Sequence, residues 1–132
     1  MIHYVTNTAG LSPAQLQGFF VDWCYPLTPA KHLALLEGSA HVVLAVDSEN
    51  DQVVGFITAL SDHVLSAYIP LLEVLPAYQG QGIGSELVRR MLGELQALGM
   101  VDLMCDPGLQ DFYARFGMEA GTGMMIRRRT GT

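Results

Sequence analysis

The stretch YQGQGIGSEL, residues 78–87, sets Gly80, Gly82 and Gly84 at alternate positions between an apolar, strand-like run and a helix-like one. A strand, a glycine turn and a helix N-terminus together present several backbone N–H groups with no side chains in front of them, beside the positive end of the helix dipole. Such a cradle suits a pyrophosphate. The same glycines also fit a tight turn that only needs positive φ, and the stretch alone leaves both readings open. A Walker loop is excluded because Gly84 is followed by Ser85 and no lysine is near. The dinucleotide fingerprint would need a third glycine where Ser85 stands, and Asp102 would sit at the start of its strand instead of the end. A dinucleotide-binding domain stays as the weaker alternative.

Working outward, Leu87, Met91, Leu95 and Leu98 recur every three or four residues, with Val88 and Leu92 widening the stripe. A helix of about four turns, ended by Gly99, is expected there. Glu86 and Arg90 form an i,i+4 pair on its outer face. Further on, MVDLMC (100–105) reads as a strand, PGLQDFYARF (107–116) as a short helix stopped by Gly117, and GMMIRR (123–128) as a last strand. Upstream, AYIPLLEVL (67–75) reads as a strand in which Pro70 requires a bulge or an unpaired edge position. HVVLAV (41–46) and VVGFITAL (53–60) flank a polar turn and should pair antiparallel. PAKHLALLEG (29–38) reads as a helix capped by Thr28, PAQLQGFFVDW (13–23) as a helix capped by Ser12, and IHYVTN (2–7) as the first strand. The order predicts a mixed α/β sheet with helices packed on it.

With 132 residues, half of them apolar, the chain is expected to form one domain over 1–132. A net charge of −6 argues against nucleic-acid binding. The single basic run, Arg127–Arg129, reads as a solvated edge. No apolar run approaches the ~18 residues of a membrane span, and the N-terminus lacks a signal-peptide pattern. A cytoplasmic protein is expected, with Cys24 and Cys105 as reduced thiols. His41 and His63 have no further ligand at metal spacing, so no metal is expected. Cys105 has no histidine near it in sequence and reads as a packing residue.

Gln79-Gly80-Gln81-Gly82-Ile83-Gly84 resembles the Q/R-x-x-G-x-G/A signature of the GNAT superfamily of N-acetyltransferases. Downstream, DPGLQDFYARFGM (106–118) resembles that family's second signature, N-x-x-A-x-x-L/F-Y-x-x-x-G-F, with Asp106 in place of Asn and Leu109 in place of Ala. The resemblance implies a GNAT fold: a mixed, mostly antiparallel sheet of about six strands, splayed between the fourth and fifth, with about four flanking helices.

It also implies acetyl transfer from acetyl-CoA to a primary amine by direct attack in a ternary complex. The alternative is a non-catalytic CoA sensor or partner-binding module on the same fold. By resemblance, Leu72, Glu73 and Val74 would run beside the pantetheine arm, with an oxyanion donor near Val74. Gln79 opens the signature, and the amides of Gly80, Gln81, Gly82, Ile83, Gly84 and Ser85 would hold the pyrophosphate. Asp106 takes the position of a cofactor-contacting Asn.

Tyr113 falls where the family places its general acid, since a phenol keeps its proton at neutral pH; packing of its helix is the competing reading. Glu73 is the candidate base, directly or through water, while an acceptor-binding role and a solvated strand position stay open. Relatives that carry a basic glutamate at the position matching Val101 find an inert side chain here. By resemblance the loop with Trp23 and Tyr25 would shape the acceptor pocket, capping of the core by these aromatics being the competing reading. The acidic balance favours a cationic acceptor. Pairing of two copies through strand or helix contacts is a further implication, with MMIRRRTGT (124–132) as the candidate edge.

Overall fold

The computed structural model describes residues 1–23 and 25–128. Its strands are β1 (Ile2–Val5), β2 (His41–Asp47), β3 (Gln52–Ser61), β4 (Ser66–Ile69), β5 (Leu72–Val74) and β6 (Met100–Leu103), and its helices are α1 (Pro29–Gly38), α2 (Ile83–Glu94) and α3 (Gln110–Ala114). The sheet order is β1-β2-β3-β4-β6, with β5 also paired to β3. Every pairing is antiparallel except β4 with β6.

The expected hairpin forms, with His41 opposite Ala59 and Asp47 opposite Gln52. Six of the seven β2 residues and seven consecutive β3 residues are buried, because both strands lie in the middle of a sheet covered on two faces. On one face Ile83, Leu87, Val88 and Met91 of α2, with Leu95 just past its end, lie over Val43, Ala45, Val54 and Ile57. On the other, Leu16, Phe19, Phe20 and Leu36 cover Leu44, Val46 and Phe56.

The run 67–75 is two strands, and the interruption falls at Pro70 and Leu71 as proline's missing N–H requires. β4 pairs with β6 from Ser66 opposite Met100 to Ile69 opposite Leu103. Past that point the strands part: β5 stays with β3, Gly55 facing Val74, and has no partner on the β6 side among the described residues. This is the splay expected between the fourth and fifth strands of the fold, β4 and β5 being its fourth strand in two pieces.

Four expectations are corrected. The helix over 13–23 is only a 3-10 turn at Pro13–Leu16. Gly18, Phe20 and Asp22 have φ of 93°, 65° and 65°, and no helix passes through that region. Leu16, Phe19 and Phe20 are nonetheless buried, so the apolar spacing located core residues on an irregular backbone. The strand over 123–128 does not form; those residues are exposed and irregular. The helix after Gly84 stops at Glu94, short of Gly99, though Leu95 still packs into the core. Helix 107–116 is a 3-10 turn at Pro107–Leu109 followed by α3. Cys24 and the end of the basic run, Arg129, lie outside the described residues.

Candidate active site

Gly82 caps α2 with φ 84° and Gly80 has φ 79°; both are left-handed conformations that favour glycine. A Cβ on either would meet nothing within 4 Å, so conformation, not crowding, demands glycine and the space above the loop is open. No side chain caps α2. Within the helix, the first bond is donated by Glu86 N–H to Gly82 O at 3.0 Å, which leaves the amides of Ile83, Gly84 and Ser85 without intrahelical acceptors. They border a cavity of about 310 Å³ lined by Val74, Tyr78, Gln79, Gly80, Gly82, Ile83, Gly84, Ser85 and Phe112.

Gln79 turns back to donate from Nε2 to Val74 O at 2.9 Å, tying the loop to the end of β5. Tyr78, whose role sequence reasoning missed, anchors the loop to the β2–β3 hairpin by donating its hydroxyl to Asp47 Oδ2 at 2.7 Å. The Glu49 amide and this hydroxyl hold the Asp47 carboxyl below the usual carboxylate range. Gln81 is exposed and does not line the cavity.

A second cavity, about 260 Å³, opens where the strands part; Ile69, Pro70, Leu71 and Leu72 line one side, Met104, Cys105 and Asp106 the other, with Leu109, Tyr113 and Trp23. β5 thus touches one cavity through Leu72 and the other through Val74, and α3 does so through Tyr113 and Phe112. Leu75 N–H donates to Val54 O on β3 at 2.8 Å. Alternation along the strand therefore turns the Val74 N–H to the opposite edge, toward the gap.

Tyr113 is 9% exposed and packs with Leu87 and Met91 in the α2-side core. Burial, then the neighbouring Cys105, raises its phenol above the usual tyrosine value, so the hydroxyl keeps its proton at neutral pH. Cys105, read from sequence as packing, is a free thiol that both packs on the core and lines the cavity. Asp106 stands at this second cavity and not at the glycine loop.

Glu73 lies between Leu72 and Val74 and so faces the other side of the sheet. Its carboxylate accepts from Phe20 N–H at 3.2 and 3.3 Å. Burial raises its carboxyl pKa, and that hydrogen bond opposes the rise. The bond fixes the backbone of Phe20, whose ring meets Trp23 edge-on at 4.8 Å. Through this pair Glu73 holds the loop that carries Trp23 to the cavity, while Tyr25 lines neither cavity. The sequence offered no signal for this link, because Phe20 and Glu73 are 53 residues apart. Among the described residues no group of three or more His, Cys, Asp or Glu is placed to hold a metal. No helix among them is long and apolar enough to cross a membrane.

Residues 12–118 match the model of the acetyltransferase (GNAT) family. The chain is 46% identical to a candidate acetyltransferase from Deinococcus radiodurans R1, whose crystal structure superposes with a TM-score of 0.92 over 96% of this chain and 88% of that one. It is 30% identical over 112 residues to the histone acetyltransferase TAP1 of Glycine max, covering 76% of this chain and 48% of that protein. The chain spans about half the length of the first curated relatives it matches. The aminoglycoside N-acetyltransferase AAC(6')-Iy, solved in complex with CoA, shares the fold at a TM-score of 0.67 and 13% identity, over 98% of this chain and 95% of that one.

Proposed function

This chain belongs to the acetyltransferase (GNAT) family, and from that premise we propose that it transfers the acetyl group of acetyl-CoA to a primary amine, both substrates being held at once across the parted strands. The observation that carries the reading is the placement of two cavities along β5, one edged by the open amides of the α2 N-terminus and the other by Tyr113.

The fit to acetyl-CoA rests on chemistry already present. Amides at Gly82–Ser85 match a diphosphate's need for donors, and the open space over Gly80 and Gly82 leaves it room. The Val74 N–H, turned toward the gap, suits hydrogen bonding to an amide-bearing arm or to a developing oxyanion. Acetyl-CoA would supply an activated acyl group. Tyr113 holds a proton at its hydroxyl and would deliver it to the departing thiolate. Glu73 serves the acceptor side, as holder of the Phe20–Trp23 loop and as a half-buried negative charge.

The acceptor is assigned as a cationic amine on the −6 balance and on Glu73. The histone and the aminoglycoside of the relatives' names enter the test as a basic peptide and an amino-sugar, beside a polyamine. Calorimetry with CoA is combined with thiol release from acetyl-CoA over this panel. CoA binding with amine-dependent thiol release supports the proposal. Binding with no turnover on any amine favours the sensor, and absence of CoA binding by folded protein ends both readings. Gly82→Val puts a branched side chain at φ 84° and into the open space above the loop. It is expected to weaken CoA binding at least tenfold, or about 1.4 kcal/mol.

A further inference from the structure

Cys105 is a half-buried free thiol that the proposed transfer does not use. The burial alternation of β6 continues past its end: Val101, Leu103 and Cys105 pack on the α2-side core, while Met100, Asp102 and Met104 are exposed. The thiol is therefore on the side of the sheet that holds Tyr113, and both residues line the cavity of about 260 Å³ at the parted strands. Across the gap, Leu72 of β5 packs on the same core and lines the same cavity.

Tyr113 marks this space for a ligand independently of the thiol. It is 9% exposed and lines the cavity, yet its hydroxyl has no hydrogen-bond partner among the described residues. A polar group held so costs stability unless something in the cavity meets it. Cys105 is close enough to that hydroxyl to contribute to the raised phenol. No histidine lines the cavity, so nothing there makes the thiol the base-activated nucleophile that an acyl-enzyme route needs. Thiol–disulfide exchange asks for less: access, and a fraction of thiolate.

Resting on the reading that acetyl-CoA lies along β5 with its sulfur at Tyr113, we propose that Cys105 is a site of covalent modification by the disulfide form of coenzyme A. Cys105 gives its proton to solvent, and its thiolate attacks the disulfide sulfur held beside Tyr113. A bond forms between Cys105 Sγ and that sulfur as the old sulfur–sulfur bond breaks. The departing CoA thiolate takes up a proton, so one thiol is oxidised, one disulfide is reduced and no further oxidant is consumed. The amides at Gly82–Ser85 hold the diphosphate of the reacting half, which raises its effective concentration over that of disulfides lacking the group. The other half leaves through the mouth of the cavity, where Trp23, Met104 and Leu109 are exposed. The adduct closes the acetyl-CoA site until a thiol reductant restores Cys105.

Reduced protein is incubated with CoA disulfide or with glutathione disulfide at equal concentration. Intact mass and peptide mapping read the adduct, with circular dichroism as fold control. A single CoA adduct on Cys105 is expected, removed by dithiothreitol and formed roughly tenfold or more faster than the glutathione adduct. Cys24→Ser should keep this labelling and Cys105→Ser should lose it. Desulfo-CoA, which carries the diphosphate and no sulfur, should protect Cys105, and Gly82→Val should bring the CoA disulfide rate down toward that of glutathione disulfide. Calorimetry with CoA separates this site from the reading it rests on. Folded protein that binds CoA, yet is labelled no faster by CoA disulfide than by glutathione disulfide, is labelled at Cys24 instead, or gains no protection from desulfo-CoA, overturns the site and leaves the proposed transfer standing. Folded protein that binds no CoA overturns both.

Discussion

Tyr113 and His32 show how differently burial acts on two titratable side chains. The Tyr113 phenol is pushed upward, which keeps it a proton donor across the neutral range. Tyr113→Phe retains the ring that packs on the core and removes only the donor. It is expected to lower kcat by roughly 10²-fold while the CoA dissociation constant measured by calorimetry stays within twofold. His32, 1% exposed, sits against Phe19, Phe20 and Phe56 at centroid distances of 5.3, 4.9 and 4.4 Å, and neither ring nitrogen has a partner.

Desolvation lowers the His32 imidazole to about 4. A cation whose folded pKa lies below its unfolded value near 6.5 takes up its proton first in the unfolded chain, so the folded state loses ground as pH falls from that value to about 4. The loss is on the order of 3 kcal/mol for a shift of this size. Urea unfolding of wild type at pH 7 and pH 4.5 is expected to show it. His32→Phe, which keeps an aromatic ring at the site, should flatten the profile over that window.

Among the elements, α2 makes the heaviest demand on its neighbours, because its first turn must reach both the core and the open loop. Ile83 and Leu87 press onto Gly55, where a Cβ would lie 3.1 Å from Leu87 Cδ1 and 3.3 Å from both Ile83 Cγ2 and the backbone oxygen of Glu73. The backbone oxygen cannot yield without moving β5. Gly55→Val is therefore expected to cost about 2 kcal/mol by overpacking. That corresponds to a fall in Tm of roughly 4–8 °C for a domain near this size, read by thermal unfolding. Because α2 and β5 border the amide-lined cavity, CoA affinity should fall with it. A purely global destabilisation would leave the affinity of the remaining folded protein unchanged.

At the scale of the molecule, the two cavities are lined by the α2 loop and β5 together with α3 and the end of β6. A ligand spanning them adds contacts that the unfolded chain cannot make. CoA at a hundred times its dissociation constant is expected to stabilise the fold by about 2.7 kcal/mol, seen as a rise of several degrees in Tm. Tyr113→Phe should keep that rise and Gly82→Val should lose most of it. A rise unaffected by Gly82→Val would place CoA away from the loop.

Much of this architecture is legible in local chemistry. Unbroken apolar runs marked β2 and β3 and a period-3.6 stripe marked α2, since strands covered on both faces bury every residue and the helix buries one stripe. Pro70 announced the break between β4 and β5 because the missing N–H is a property of the residue itself. The glycine loop was legible for the same reason, positive φ being written into Gly80 and Gly82. What residue patterns could not decide depends on groups distant in the chain. The segment 13–23 has helical spacing, yet Gln52 Nε2 donates to the carbonyls of Gln15 and Gln17 and Glu73 accepts from Phe20, so long-range hydrogen bonds meet backbone needs that a helix would have met. MMIRR has strand composition, but a strand exists only where another edge receives it, and residues 124–128 pair with none of the described strands. Composition states what a segment can bury or bond; only the assembled sheet settles which partner is within reach.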